Sequence, residues 1–298
     1  MIRKAGRRLF DRLEGALAPA APRHAALAAA AAAGLGRLRH RLSGRWPTVA
    51  EVRLLFPELP ARVARGVAAR IAGLEARNRL LVASLHRAGL APIRALVRTH
   101  EVFAALRPPM VLVTFHVGAW NGIGPALERL GRPVLVLRDS RLYSPAPPVE
   151  IAETGGDEQR RTAAFHWALE VLERGGFVVA SLDLPASPGI RAPCLGRSLE
   201  LARGPLALAR LGGAAMAPIA ARWCRGGIEI TASAALAVSS TPSPSPRGEA
   251  APGTDPRAWE ARLAAAAAEW LDRYLSATPE ELGLGLLREL LRSPPARR

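Results

Sequence analysis

Apolar positions along the chain fall into two rhythms. Val111–Phe115, Pro133–Leu137 and Phe177–Leu182 are short runs rich in valine and leucine, with no alternation of polar residues. Such runs are expected of strands buried on both faces. A helical rhythm fills other stretches. Val63, Val67, Ile71 and Leu74 recur at intervals of three and four, with Arg62, Arg65 and Arg70 between them, and the segment continues through Leu80, Leu81 and Leu85 to Gly89. Gly124–Leu130 reads as a helix stopped by Gly131, and Arg160–Arg174 as an amphipathic helix closed by Gly175-Gly176. Pro205 pre-sets the first turn of a helix over Leu206–Leu211. Trp259–Tyr274 and Leu286–Leu291 read as two more helices, and Gly226-Gly227 within Arg222–Ile230 as a hairpin turn. Strands interleaved with helices predict an α/β fold. Its expected form is a central mixed β-sheet with helices on both faces and a helical N-terminal region.

The ends and one interruption set the domain organisation. Arg3, Lys4, Arg7 and Arg8 among Ile2, Leu9, Phe10 and Leu13 make a short basic amphipathic stretch, and Ala25–Gly36 is a run of small apolar residues. That run falls short of the roughly 20 residues a spanning helix needs. Residues 1–54 are therefore read as a basic, alanine-rich helical region with membrane contact, and 55–298 as the main domain. The Ser/Pro-rich stretch 239–256 is read as an exposed, poorly ordered loop within that domain. The formal charge is +16, from 41 Lys+Arg against 25 Asp+Glu, and Lys4 is the sole lysine. An arginine excess of this size suits anionic lipid or an acidic carrier protein. Cys194 and Cys224 form neither a metal-ligand spacing nor a disulfide framework, so neither metal nor cofactor is expected.

Chemistry concentrates after the first buried strand. His116 follows it at once, then Gly118 and Trp120-Asn121-Gly122. Strand ends are where α/β folds place their ligands. The spacing of His116, Gly118 and Trp120 resembles the first motif of the lysophospholipid acyltransferase superfamily, in its bacterial lipid A (lauroyl/myristoyl) acyltransferase branch. That motif runs His-Phe-Gly-Asn-Trp-Glu; here Asn121 stands where the carboxylate belongs. Later segments follow the family's order: Asp183, Gly189, Pro193-Cys-Leu-Gly196-Arg197, Gly204-Pro205, Gly213-Ala214 and Pro218. Phe56-Pro57-Glu58 leads into the long helix as in the family, and the resemblance spans about residues 55–291. The family's C-terminal aromatics are replaced by Leu282, Leu284 and Leu287.

The resemblance implies an acyltransferase. It would move a fatty acyl chain from acyl carrier protein or a coenzyme A thioester to a hydroxyl of a membrane lipid or glycolipid. It would work as a peripheral protein on the cytoplasmic face of the inner membrane, with anionic lipid as a partner and no nucleic acid. His116 is the implied base, with Asn121 and Asp183 as catalytic companions. Gly118, Trp120, Arg138, Arg141, Gly189, Gly196 and Arg197 are the implied substrate contacts. The substitution at Asn121 raises a second expectation: a catalytically silent relative that binds lipid or a protein partner. Two carboxylates, Asp139 and Asp183, are candidates to replace the missing one.

Overall fold

The structure, a computed structural model, describes residues 24–43, 47–99, 102–139, 147–183, 189–236 and 255–296. The basic stretch before residue 24, Arg141 and residues 239–254 of the Ser/Pro-rich loop lie outside the described residues.

The chain opens with α1 (Ala25–Ser43), α2 (Val49–Leu55), α3 (Ala61–Ala88) and the short α4 (Ala91–Arg94). The α/β part follows as β1 (Val97–Thr99), α5 (Val102–Ala105), β2 (Met110–Thr114), α6 (Ile123–Leu127), β3 (Val134–Arg138), β4 (Val149–Glu153), α7 (Glu158–Glu173) and β5 (Phe177–Ser181). It continues with β6 (Ile190–Cys194), β7 (Arg197–Leu201), α8 (Arg203–Leu211), β8 (Ala215–Cys224), β9 (Gly227–Ala232), α9 (Pro256–Ala277) and α10 (Leu284–Arg292).

Seven strands form one mixed sheet in the order β1-β9-β8-β2-β5-β3-β4, and β6 and β7 pair as a separate antiparallel hairpin. Within the sheet every pair is parallel except β8 with β9. The two-residue periodicity of the central strands feeds two separate cores. Val111, Val113, Leu135 and Val178 point to one face, against Val67 and Ile71 of α3, Leu172 of α7, Leu206 of α8 and Leu271 of α9. Met110, Leu112, Val134, Val136 and Val179 point to the other, against Leu85, Ile93, Ile123 and Leu127. Each fully buried aliphatic side chain of this kind contributes ~1.5–3 kcal/mol. Helices thus cover both faces, as the unbroken apolar runs predict. Pro218 closes the strand pairing of β8 with β2: register runs from Met110↔Ala215 to Val113↔Pro218, and beyond it β8 pairs with β9 and makes one parallel bridge, Gly118↔Ala221. A proline is tolerated there because its missing N–H falls where the ladder changes partner.

The N-terminal helices belong to this body rather than hanging from it. α1 lies along α3, where a Cβ on Gly36 would stand 2.6 Å from the Ala72 carbonyl oxygen and one on Gly73 3.1 Å from that of Ala33. Among the described residues no helix is long and apolar enough to cross a membrane. α7 starts two residues before the sequence reading and ends one residue before it, and α9 extends the reading by three residues at each end. β1, β4 and the β6–β7 hairpin are additional strands that the apolar runs do not announce.

Candidate active site

The site follows from one register. β2 and β5 are parallel neighbours with Thr114 opposite Ser181. Two residues beyond that pair on each strand stand His116 and Asp183. The Asp183 carboxylate accepts from His116 Nδ1 at 3.0 Å through Oδ1 and from the His116 backbone N–H at 2.8 Å through Oδ2. The Asp183 side chain is 2% exposed, that of His116 22%. A proton fixed on Nδ1 leaves Nε2 as the basic nitrogen, the tautomer a general base requires. The His116 ring meets the Trp120 ring edge-on at 4.7 Å, and the Arg138 guanidinium lies 5.8 Å from the Trp120 centroid.

Opposing causes act on the His116 pKa. Burial pulls it down, while the Asp183 hydrogen bond and charge push it up; Arg138 lowers it and Asp139 raises it further. The net shift is upward from the ordinary histidine value.

The turn carrying His116 is clamped from three elements. Asn78 on α3 donates Nδ2–H to the Gly118 carbonyl at 2.8 Å. The Ala119 N–H donates to Ala221 O of β8 at 2.6 Å, and the Gly118 N–H to Glu281 O at 2.7 Å. Val117 also bridges Leu282. Gly118 has φ +56°, and a Cβ there would stand 2.0 Å from the Ala221 oxygen, so only glycine fits. Beneath the turn, burial and neighbouring Glu280 push the Glu281 carboxyl up to about 8, with Arg77 and Arg222 pulling partly back. Its Oε2 has no hydrogen-bond partner.

Asn121 occupies the motif position of the family's carboxylate but not its role. It is 3% exposed, in a single 3-10 turn (Trp120–Gly122), and neither side-chain atom has a hydrogen-bond partner. His116 is held by Asp183 instead.

A pocket of about 440 Å³ opens beside His116. Leu127, Val136, Val179 and Leu208 line its apolar part, while Arg138, Arg161 and Arg203 bring guanidinium groups to its wall. Its lining thus combines apolar side chains with arginines. The structure therefore brings His116, Trp120, Asn121 and Arg138 together on the pocket and sets Asp183 behind His116. Gly118 is part of the turn itself and does not border the pocket. Gly189 is elsewhere, its N–H donating to Glu200 Oε1 at 3.0 Å. Gly196 lies in the β6–β7 turn and Arg197 opens β7; both pack against the C-terminal segment, through Ala296 N–H to Gly196 O at 3.0 Å and the Arg197↔Pro295 bridge. Neither borders the pocket. Among the described residues no group of His, Cys, Asp and Glu is placed to hold a metal ion.

Asn78, Arg161, Arg203 and Glu281 are site neighbours that no motif singles out. For Asn78 one signal exists: asparagine is a poor helix former in mid-helix, and its presence in α3 calls for a side-chain partner. Comparison of the chain with models of known protein families and with curated proteins gives no match.

Proposed function

We propose that this protein is an acyltransferase that moves a fatty acyl chain from an acyl thioester, of acyl carrier protein or coenzyme A, to a hydroxyl of a membrane lipid or glycolipid. The observation that carries the reading is the His116–Asp183 pair at 3.0 Å on the edge of a pocket with an apolar interior. The order of motifs along the chain supports it.

In this reading His116 Nε2 takes the proton of the acceptor hydroxyl as that oxygen bonds to the thioester carbonyl carbon. The carbonyl π pair moves onto its oxygen. When the pair returns, the C–S bond breaks and the thiolate leaves with the proton from the imidazolium, giving ester and thiol. Asp183 holds the ring and offsets the charge the imidazolium gains, the role a carboxylate plays toward histidine in acyl-transfer enzymes generally. Asp183 supplies what Asn121 lacks, which favours an active enzyme over the silent-relative reading. The net arginine charge supports attachment to the anionic cytoplasmic face of a membrane.

The test is thiol release and ester formation by the purified full-length chain. Acyl-CoA and acyl-carrier-protein donors would be supplied with lipid acceptors, beside a His116→Ala variant. Turnover that falls to background in the variant supports the reading. Equal rates in the two proteins refute it.

A further inference from the structure

Arg161 of α7 and Arg203 at the start of α8 border the pocket together with Arg138, and one carboxylate, Asp139, borders it with them. Neither Arg161 nor Arg203 has any part in the family resemblance. Arg203 is anchored from behind. Its Nε donates to Glu260 Oε2 at 2.6 Å, and Arg210 Nε donates to Glu260 Oε1 at 3.0 Å. Glu260 on α9 is 0% exposed. A carboxylate removed from water requires compensation. Here two guanidinium groups share it, so the trio keeps a net positive charge. Arg203 meets Glu260 through Nε, and its side chain is still 42% exposed.

Further features border the same pocket. The first turn of α8 has no side-chain cap, and its Arg203 and Gly204 line the pocket. A Cβ on Gly204 would meet nothing within 4 Å, so the space beside that turn is open. Uncapped helix starts present N–H groups and the positive end of the helix dipole to anions. Arg161 is steadied by donating Nη1–H to Gly156 O at 2.9 Å. Asn121, buried and without a hydrogen-bond partner, borders the pocket as well.

We propose that this wall of the pocket is a phosphate subsite, in which Arg203 and Arg161 grip the phosphate and Glu260 positions Arg203. Guanidinium forks match a phosphate's oxygens and charge better than any single ammonium. The identity of the molecule that carries the phosphate rests on the acyl-transfer reading; the subsite itself does not. Two sources share the chemistry: the headgroup of a phosphorylated lipid acceptor, and the phosphopantetheine diester of the thioester donor.

The full-length chain and its Arg203→Gln, Arg210→Gln and Glu260→Gln variants would be titrated with inorganic phosphate, followed by ³¹P line broadening. Arg210 shares Glu260 and the same charge but does not border the pocket, so it controls for net charge and for α8–α9 docking. The expected result is an affinity about tenfold weaker in Arg203→Gln and less than twofold weaker in Arg210→Gln. Glu260→Gln, where it folds, should fall between wild type and Arg203→Gln. Equal losses in the two arginine variants, or no phosphate binding by wild type, overturn the proposal. A kinetic arm locates the source. A rise in KM confined to phosphorylated over dephosphorylated lipid assigns the acceptor. A rise confined to coenzyme A over pantetheine thioesters assigns the donor. If wild type binds phosphate with this arginine pattern yet turns over no thioester, the subsite stands and the acyl-transfer reading falls. If thioester turns over and the arginine variants are indistinguishable, the reverse holds.

Discussion

Replacing Asp183 by asparagine removes one charge from a side chain that is 2% exposed and serves two donors, the His116 ring at 3.0 Å and its backbone N–H at 2.8 Å. The two donors meet different carboxylate oxygens, and an amide in the same place has an oxygen on one side only. If the oxygen keeps the ring, the NH2 group faces the backbone N–H. If it keeps the backbone, the NH2 group faces Nδ1 and drives the proton to Nε2, the nitrogen that must be bare to act as base. Losing a buried charge-assisted hydrogen bond costs ~1.5–3 kcal/mol. The tautomer penalty adds to this, and the analogous change in a serine protease costs about 10⁴-fold. A drop of about 10²–10⁴ in kcat is therefore expected for Asp183→Asn, or ~2.7–5.5 kcal/mol of transition-state stabilisation. The pH profile carries a second signature. In the acyl-transfer reading neutral His116 is the active form, so rate rises as pH passes its pKa, and Asp183 is what lifts that pKa against burial. In the variant the rising limb should move to lower pH while the plateau drops. Thiol release measured from pH 5 to 9, with a melting curve at each pH, checks both. A kcat within twofold of wild type, or a limb that stays in place in a folded variant, would refute the dyad.

Three other outcomes are expected. Asn121→Glu should lower both activity and melting temperature, because it buries a charge where the native amide already lacks partners; Asn121→Leu should raise the melting temperature by removing an unpaired polar group worth ~1–3 kcal/mol. A gain of activity in Asn121→Glu would return that position to the dyad. Asn78→Leu should lower kcat by about tenfold or more with little change in KM, since it frees the Gly118 carbonyl and lets the His116 turn drift; steady-state kinetics beside urea unfolding separates this from general destabilisation. Glu281 is held protonated by burial up to about pH 8, against an unfolded value near 4.5, so the unfolded chain releases its proton first and stability is lost as pH rises from about 4.5 to 8. Glu281→Gln should flatten that slope in urea midpoints taken at pH 5 and pH 9, each unit of displaced pKa corresponding to about 1.4 kcal/mol.

The central strands and long helices were legible because burial on both faces writes itself as unbroken valine and leucine runs, and one-sided burial as a 3.6-residue rhythm. β4 escapes because Val149–Glu153 alternates with glutamates at the sheet edge, where only part of the strand needs to be apolar. β6 carries Arg191 and Pro193 on a two-stranded hairpin, which asks for little apolar content, and β1 has three residues. His116 was legible from its place at a strand end. Its partner was not fixed by any spacing along the chain: His116 and Asp183 are 67 residues apart, and they meet only once β2 and β5 are known to be parallel neighbours with Thr114 opposite Ser181. Motif position pointed to Asn121, and tertiary register chose Asp183. Gly196 and Arg197 show the converse, motif residues whose positions follow from hairpin geometry and packing against residues 293–296.

The clamp on the His116 turn ties it to two parts of the chain remote in sequence. The amide hydrogens of Gly118 and Ala119 are bonded to carbonyls of Glu281 and Ala221, one from the C-terminal quarter of the chain and one from a central strand. Neither bond can break by fraying of a loop end. Solvent exchange at Gly118 should therefore require the segment around Glu281 to detach, and exchange at Ala119 should require the turn to part from β8, with protection at both well above that of a frayed loop. During synthesis the turn gains both anchors only after residue 281 has emerged, so the setting of His116 is completed later than the strand that carries it.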